Sequence, residues 1–268
     1  MADEFQSTLE ESNLSKKSEK ENNRPRDELD NLFDEFLDKK SIFKKKEVLL
    51  IRYFPDTIPH REKQIKKLAM ILAPTLRGEK PSNLFIYGKT GTGKTLCAQH
   101  TLNRLVSRAK DAKATVKYAY LNCKLKKVAD TEYRIIASLS KILGEKVPIT
   151  GLPTDEVYNI FTKKLDEHDQ VIVVVLDEID RLIHKTGDEI LYTLTRLNQE
   201  LKRAKLCLIG ISNDIRFIEN VDPRVKSSLG EEEIIFPPYN AIELKDILES
   251  RAESAFNEDV IEEAVLAK

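Results

Sequence analysis

Short runs of apolar residues alternate along this chain with longer stretches in which apolar residues recur every three or four positions. The short runs predict β-strands at 83–87, 117–122, 171–176, 206–211 and 233–236. The longer stretches predict helices at 94–110, 132–143, 155–166, 188–202 and 241–255, with a further short amphipathic helix at 30–43. Strands and helices that alternate in this way predict an α/β fold, a doubly wound parallel sheet of five strands.

The run at 171–176 is the clearest strand, because it holds six apolar residues in succession, four of them valine. A strand without alternating polar positions is expected where both faces of a parallel sheet are covered. Two helix starts are also indicated. Thr154 is expected to be the N-cap of the helix at 155–166, and Asn240 with Glu243 forms a capping-box pattern ahead of 241–255.

Composition divides the chain into three parts. Residues 1–29 are polar, with few apolar side chains to bury, so we expect a disordered tail. Residues 30–238 hold all five predicted strands and form the α/β domain. Pro237 and Pro238 indicate a rigid joint, after which 239–268 would begin a helical domain. That last part is too short for a complete domain, so we expect it to be truncated.

Charge and cysteine content limit the classes of function. Of 268 residues, 44 are Lys or Arg and 45 are Asp or Glu, which excludes a polycationic coat and requires any DNA contact to come from local patches. No apolar run approaches the roughly 20 residues that span a bilayer, so no membrane role is expected. Three cysteines without a close pair predict neither a disulfide framework nor a zinc site. We therefore expect a reducing, intracellular location, that is, the cytoplasm.

The most specific motif lies between the strand at 83–87 and the helix that follows it. It matches the phosphate-binding pattern G-x-x-x-x-G-K-[ST], with backbone N–H groups and a helix N-terminus turned toward phosphate oxygens. Lys94 is expected to reach the β- and γ-phosphates, and the Thr95 hydroxyl to bind Mg²⁺. The alternative is a glycine-rich turn that matches by chance. The motif consists of Gly88, Lys89, Thr90, Gly91, Thr92, Gly93, Lys94 and Thr95.

Polar residues follow two further strands, at the sheet edge where α/β proteins bind ligands. Asp177 is the candidate Mg²⁺ ligand, and Glu178 is the candidate that polarises the attacking water. The alternative is a solvated acidic pair, with Asp180 and Arg181 in a structural ion pair. Asn213 follows the strand at 206–211 and would touch the γ-phosphate or the water, unless it serves only as a turn former.

In this order the motifs resemble those of the AAA+ ATPases, and four stretches narrow the resemblance. Residues 53–64, 131–134, 151–158 and 222–229 are similar to the archaeal origin-recognition and helicase-loader initiators. The resemblance implies ATP or ADP with Mg²⁺ as cofactors, Asn213 as a sensor, and Arg224 as an arginine finger acting on a neighbouring subunit. The finger is ambiguous, because Ser228-Leu229 replaces a common Ser-Arg-Phe element and Arg224 has nearby carboxylates to pair with.

The resemblance also implies where ligands bind. It places the nucleotide base beside Tyr53, Pro55, His60 and Arg61, and Leu96, directly after the phosphate loop, is also expected to bind the nucleotide. It implies a helical, DNA-contacting insertion within 131–153, whose basic candidates are Lys124, Lys126, Lys127, Arg134, Lys141 and Lys146. A lid sensor arginine and a winged-helix domain would lie beyond Lys268. The implied partners are double-stranded origin DNA, a replicative helicase and other initiator subunits, with an oligomer formed through Arg224.

These patterns favour an ATP-dependent replication initiator that uses slow ATP hydrolysis as a switch for helicase loading. Two alternatives stay open. One is a clamp-loader or helicase-like motor, whose output is turnover. The other is a scaffold that retains its nucleotide for structure alone.

Overall fold

Five strands form one sheet in which every neighbouring pair is parallel. The computed structural model describes residues 28–50, 53–124, 131–148, 151–214, 216, 219, 221–258 and 260. The order across the sheet is β2-β3-β4-β1-β5, so the prediction of a five-stranded parallel α/β fold is confirmed. Each strand lies within one residue of its predicted bounds. The strands are β1 (Leu84–Gly88), β2 (Val116–Asn122), β3 (Val171–Asp177), β4 (Lys205–Ser212) and β5 (Glu232–Phe236).

Helices connect the strands and cover both faces of the sheet. The periodicity did not predict α2, α6 and α8, which are short or flanked by polar residues. None of the helices described here combines the length and the apolar character needed to cross a membrane. The helices are α1 (Glu28–Asp38), α2 (Glu62–Leu72), α3 (Lys94–Asp111), α4 (Glu132–Ile142), α5 (Thr154–Leu165), α6 (Ile179–Thr186), α7 (Glu189–Arg196), α8 (Pro223–Leu229) and α9 (Ala241–Ala255).

Three helix boundaries differ from those predicted. The helix expected at 188–202 ends at Arg196 and continues as a 3-10 turn, because the Asn198 side chain is bonded to both backbone groups of Leu206 in β4. The N-cap prediction for Thr154 is wrong: Thr154 is the first helical residue, and Pro153 occupies the cap position. The first helix ends at Asp38 rather than at 43.

The remaining boundaries agree with the pattern. The capping box of Asn240 and Glu243 is confirmed, since each side chain accepts a hydrogen bond from the other residue's backbone N–H. The predicted tail at 1–29 lies outside the described residues except for its last two, which belong to α1.

The two sides of β3 belong to different hydrophobic clusters. Ile172, Val174 and Leu176 pack with α4, α5, α6 and α7. Val173 and Val175 pack with α2 and α3 on the opposite face. This explains why the strand sequence does not alternate with polar residues. Because all strands run in one direction, their carboxyl ends meet at one edge, where the polar residues of the motifs converge.

Candidate functional site

The loop between β1 and α3 has the backbone shape that its glycines permit. Gly91 and Gly93 have φ values of 82° and 87°, in the left-handed region that residues with a Cβ rarely adopt. At Gly88 a Cβ would collide with the Phe236 carbonyl in β5. The loop can therefore approach a ligand with its backbone, as a phosphate-binding loop must.

The Lys94 side chain crosses this loop and is nearly buried, with 5% of the residue exposed. Its Nζ donates to the carbonyl oxygens of Gly88 at 2.8 Å and Lys89 at 2.9 Å, and to Asn213 Oδ1 at 2.8 Å. Burial lowers the pKa of Lys94, and the nearby Asp177 carboxylate opposes that shift. An ammonium with three donors directed at oxygen atoms is suited to hold phosphate oxygens in the same place.

Thr95 and Asp177 meet at the sheet edge as the motifs predict. Thr95 Oγ1 donates to Asp177 Oδ2 at 2.7 Å. The Tyr120 hydroxyl donates to the same oxygen at 2.6 Å, and burial together with this carboxylate raises the pKa of Tyr120. Sequence reasoning missed Tyr120, although it lies two residues before the end of the strand beside β3.

The donors in this corner fit a magnesium ion. Mg²⁺ prefers oxygen ligands and usually takes one or two carboxylates together with substrate phosphates. Thr95 and Asp177 offer a hydroxyl and one carboxylate. The described residues contain no group of three or more His, Cys, Asp or Glu side chains that could hold a metal by themselves. A metal here would therefore be shared between the protein and a bound phosphate.

Glu178 lies next to Asp177 but faces a different partner. Its backbone is left-handed, with φ 53° and ψ 46°, where β3 turns into α6. Glu178 Oε2 lies 3.7 Å from Lys124 Nζ, and 18% of the glutamate side chain is exposed. The first of the predicted DNA-contacting lysines is therefore an ion-pair partner of the predicted catalytic glutamate.

The end of β4 brings the next polar residues to the same edge. Asn213 reaches Lys94 as described above. The buried Ser212 hydroxyl donates to Asp180 Oδ1 at 3.0 Å, and Arg181 Nε lies 3.9 Å from Asp180 Oδ2. Asp180 and Arg181 form the structural ion pair that the sequence suggested.

A pocket of about 270 Å³ opens beside the phosphate loop. Of the four residues expected around the base, Pro55 lines it, whereas Tyr53, His60 and Arg61 do not. Leu96, expected to bind the nucleotide, lines it as well. The apolar spacing within α9 could have indicated Leu244 and Ile247. The remaining lining residues are Thr57, Ile58, Pro59, Gly91, Gly93, Tyr239, Leu244, Ile247, Ser250 and Arg251.

His60 and Arg61 have other contacts. His60 Nε2 lies 3.0 Å from Asp246 Oδ2 on α9. Arg61 is 2% exposed, and its guanidinium donates to the carbonyl oxygens of Thr92, His60 and Pro237. Both residues therefore connect the segment before α2 to other elements around the pocket.

Arg224 lies near the start of α8. Its Nε and Nη2 atoms donate to Asp222 at 3.1 and 2.9 Å, and 64% of its side chain is exposed. The guanidinium also lies over the Tyr192 ring, with Arg196 over the same ring. Arg224 is thus paired with a nearby carboxylate, as the alternative interpretation expected. Its side chain is still exposed enough for a neighbouring chain to reach it.

Three of the other basic candidates lie on or after α4. Arg134 is half-buried, while Lys141 and Lys146 are exposed. Lys126 and Lys127 lie outside the described residues. The region 131–153, where a helical insertion was expected, contains α4, which packs on α5 through buried Ile135, Ile136 and Leu139.

A family model described as the AAA domain matches residues 77–218, slightly more than half of the chain. This chain belongs to the AAA domain family. The match includes the phosphate loop, Asp177 and Asn213, which are the residues that the fold brings together.

Within the AAA domain family, this chain is similar to proteins named ORC1-type and ORC2. ORC1-type DNA replication protein 1 of Methanosarcina acetivorans is 52% identical over 238 residues, which cover 89% of this chain and 56% of that protein. The Aeropyrum pernix ORC1 protein in complex with DNA is 48% identical with a TM-score of 0.77, covering 84% of this chain and 57% of the other. The Aeropyrum pernix ORC2 protein in ADPNP–ADP complexes is 28% identical with a TM-score of 0.72, covering 84% and 59%.

These comparisons confirm the resemblance to origin-recognition initiators. The chain spans a little over half the length of the relatives it matches.

Proposed function

We propose that this chain is the nucleotide-binding part of an ATP-dependent DNA replication initiator. The observation that carries the proposal is the 2.7 Å hydrogen bond between Thr95 and Asp177 beside a glycine loop that surrounds Lys94. Relatives named as ORC1-type replication proteins support the assignment to replication, and a relative in ADPNP–ADP complexes supports nucleotide binding.

Each residue at this edge of the sheet has a separate role in ATP hydrolysis. Lys94 and the loop amides hold the β- and γ-phosphates, and Asn213 contacts the γ-phosphate or the attacking water. Thr95 and Asp177 would hold Mg²⁺, which would supply positive charge against the charge that develops on the phosphates. Glu178 accepts the proton of the attacking water, and water and ATP become ADP and phosphate.

Hydrolysis is proposed to be slow and dependent on assembly. In the described geometry Glu178 is paired with Lys124, and the chain offers no arginine next to Lys94 among the contacts of its described residues. Arg224 of a neighbouring subunit would supply that charge in trans, after exchanging Asp222 for the γ-phosphate. Nucleotide state then acts as a switch, because the γ-phosphate attracts groups that its loss releases.

DNA and partner contacts complete the proposal. Duplex origin DNA would be held through phosphate contacts by Lys141, Lys146 and the neighbouring basic residues, in support of helicase loading. We assign 30–238 to the nucleotide-binding domain and 239–268 to the start of a helical lid. The protein would act in the cytoplasm on the nucleoid.

Filter binding to duplex DNA, with and without ATP, tests the proposal. We expect Lys94→Ala to lose ATP retention. We expect Lys141→Ala to weaken DNA binding and to reduce the slope of log affinity against log salt concentration by about one, the effect of one lost phosphate contact. Lys163→Ala, an exposed lysine on α5, is the matched control and should leave both unchanged. ATP retained by Lys94→Ala would refute the site.

A motor remains the second candidate, supported by the position of Lys94, Asp177 and Glu178 at one edge of the sheet. Rapid DNA-stimulated ATP turnover by this chain alone would favour the motor over the initiator. A scaffold role predicts instead that Glu178→Gln leaves every activity unchanged.

A further inference from the structure

Arg61 is a buried cation at the junction of three elements. Nε donates to the Thr92 carbonyl in the phosphate loop at 2.9 Å, and Nη2 donates to the Pro237 carbonyl after β5 at 2.7 Å. Nη1 donates to the carbonyl of its neighbour His60 at 2.9 Å. The guanidinium carbon lies 3.6 Å from the centre of the Tyr239 ring. One side chain thus joins the loop to the joint that leads into α9.

The environment of this cation is unusual because it contains oxygen dipoles and rings in place of a carboxylate. None of the ion pairs in the described part of the chain involves Arg61. A buried charge without an ionic partner is strongly disfavoured unless hydrogen bonds compensate it. Carbonyls and a cation–π contact supply part of that compensation. The uncompensated positive charge favours an anion in the adjacent loop.

The contact with Thr92 fixes the orientation of a peptide group in the loop. A peptide bond is planar and trans, so its C=O and the following N–H point in opposite directions. Because the Thr92 carbonyl is directed at Arg61, the Gly93 N–H points away from Arg61. Gly93 is at the start of α3, where the N–H groups of a phosphate loop meet their ligand.

Two other contacts of Arg61 lie in the segment that leads into α9. Pro237 and Tyr239 lie in the joint before α9, and Tyr239 also reaches the loop, since a Cβ on Gly93 would lie 3.0 Å from its hydroxyl. The neighbouring His60 contacts Asp246 on α9 itself. The pocket beside the loop is lined by Leu244, Ile247 and other residues of α9. Two of the partners of Arg61, Pro237 and Tyr239, therefore lie just before the helix that lines the pocket.

We propose that Arg61 is a positioning residue that couples α9, which covers the base pocket, to the phosphate loop. Occupation of the pocket by a base fixes α9 and its joint, and Arg61 then holds the Thr92 peptide in the orientation that binds phosphate. Arg61 contacts neither base nor phosphate. This inference rests on the proposed function, in which the pocket and loop bind one nucleotide.

The test measures binding of the base side and of the phosphate side of the nucleotide separately. Isothermal titration measures the binding of adenosine, ADP and pyrophosphate to the wild type, Arg61→Lys and Arg61→Met. Lysine keeps the charge but cannot bridge Thr92 and Pro237. Methionine removes the charge and fits a buried site, so it keeps the test valid if the lysine variant does not fold. Lys63→Ala, an exposed residue of α2, is the control.

We expect both Arg61 variants to lose about tenfold or more in ADP affinity and less than about threefold in adenosine affinity. In the wild type, saturating adenosine should raise pyrophosphate affinity by about fivefold, and both variants should abolish this enhancement. Equal losses for adenosine and ADP would show a merely structural role and overturn the inference, as would unchanged ADP affinity.

The proposed function can fail separately. A wild-type chain that binds no ADP, or a Lys94→Ala variant that binds it normally, would refute nucleotide binding at the loop. A wild type that binds ADP through Lys94, with Arg61 variants that retain the adenosine enhancement, would refute only the coupling.

Discussion

The Lys94 ammonium donates a 2.8 Å hydrogen bond to the Asn213 side chain, although 119 positions separate the two residues in the chain. The contact exists because β4 lies directly beside β1 in the sheet. It places the loop lysine and the residue after β4 around one location. A γ-phosphate at that location would contact both residues at once, which is the basis of the proposed sensing of nucleotide state through Asn213.

Lys94→Ala should lower the affinity for ATP and ADP by about 10- to 100-fold, because the variant loses charge-assisted hydrogen bonds to phosphate. Isothermal titration in the presence of Mg²⁺ measures this loss. Lys110→Ala, at the far end of the same helix, should bind nucleotide as the wild type does. Comparable losses in both variants would point to helix destabilisation instead.

Asp177→Asn should weaken the dependence of ATP binding on Mg²⁺, since the amide cannot replace the carboxylate as a metal ligand. The expected result is an affinity that changes little when EDTA is added, compared with a clear fall for the wild type. Asp180→Asn is the contrasting variant, because Asp180 bonds Ser212 and should affect the melting temperature rather than the Mg²⁺ dependence. A wild-type Mg²⁺ response in Asp177→Asn would remove Asp177 from the metal site.

Glu178→Gln should retain ATP with near-normal affinity and reduce the hydrolysis rate by about 100-fold or more, because the amide cannot accept a proton from water. Single-turnover hydrolysis of pre-bound ATP separates binding from chemistry. Lys124→Ala removes the ion-pair partner of Glu178 and should leave the proton acceptor in place. Equal rates for wild type and Glu178→Gln would favour the scaffold.

Arg224→Ala should abolish the part of ATP hydrolysis that rises with protein concentration, because the arginine is proposed to act on a neighbouring subunit. Mixing Arg224→Ala with Glu178→Gln chains should restore activity, since a mixed interface can pair an intact Glu178 with an intact Arg224. Lys226→Ala, on the same helix, serves as the control. No recovery on mixing, with both variants able to bind ATP, would place the role of Arg224 within its own chain.

The contribution of the Asp222–Arg224 pair to the stability of the protein should depend on pH below about 4. Hydrogen bonds from Arg224 hold the pKa of Asp222 at about 2, below its ordinary value of 3.8. A lowered folded-state pKa means that the stabilisation is present above the ordinary value and is lost as the pH falls toward 2. Asp222→Asn keeps an N-cap oxygen but has no charge to lose.

The difference in melting temperature between the wild type and Asp222→Asn should therefore shrink as the pH falls from about 4 to about 2. A difference that stays constant over this range would show that the pair contributes nothing to stability.

The sequence by itself determined the α/β sheet and the order of its chemical groups. Apolar runs located all five strands, most clearly β3, because a strand that is buried at every position cannot include solvated residues. The loop from Gly88 to Thr95 could be predicted because phosphate binding requires glycine conformations and a lysine at fixed spacing. The Asp177–Glu178 pair could be predicted because it directly follows a buried strand. The capping box at Asn240 was predicted because its partners are neighbours in the sequence.

Only the tertiary structure decided what these groups contact. Tyr120 joined Thr95 at Asp177 because β2 pairs with β3, and no local pattern encodes that neighbour. Arg61 was expected beside the base and instead holds Thr92 and Pro237, since burial among three elements set its hydrogen-bond partners. Periodicity records which residues avoid water, whereas the partners of a buried polar side chain depend on elements distant in the chain.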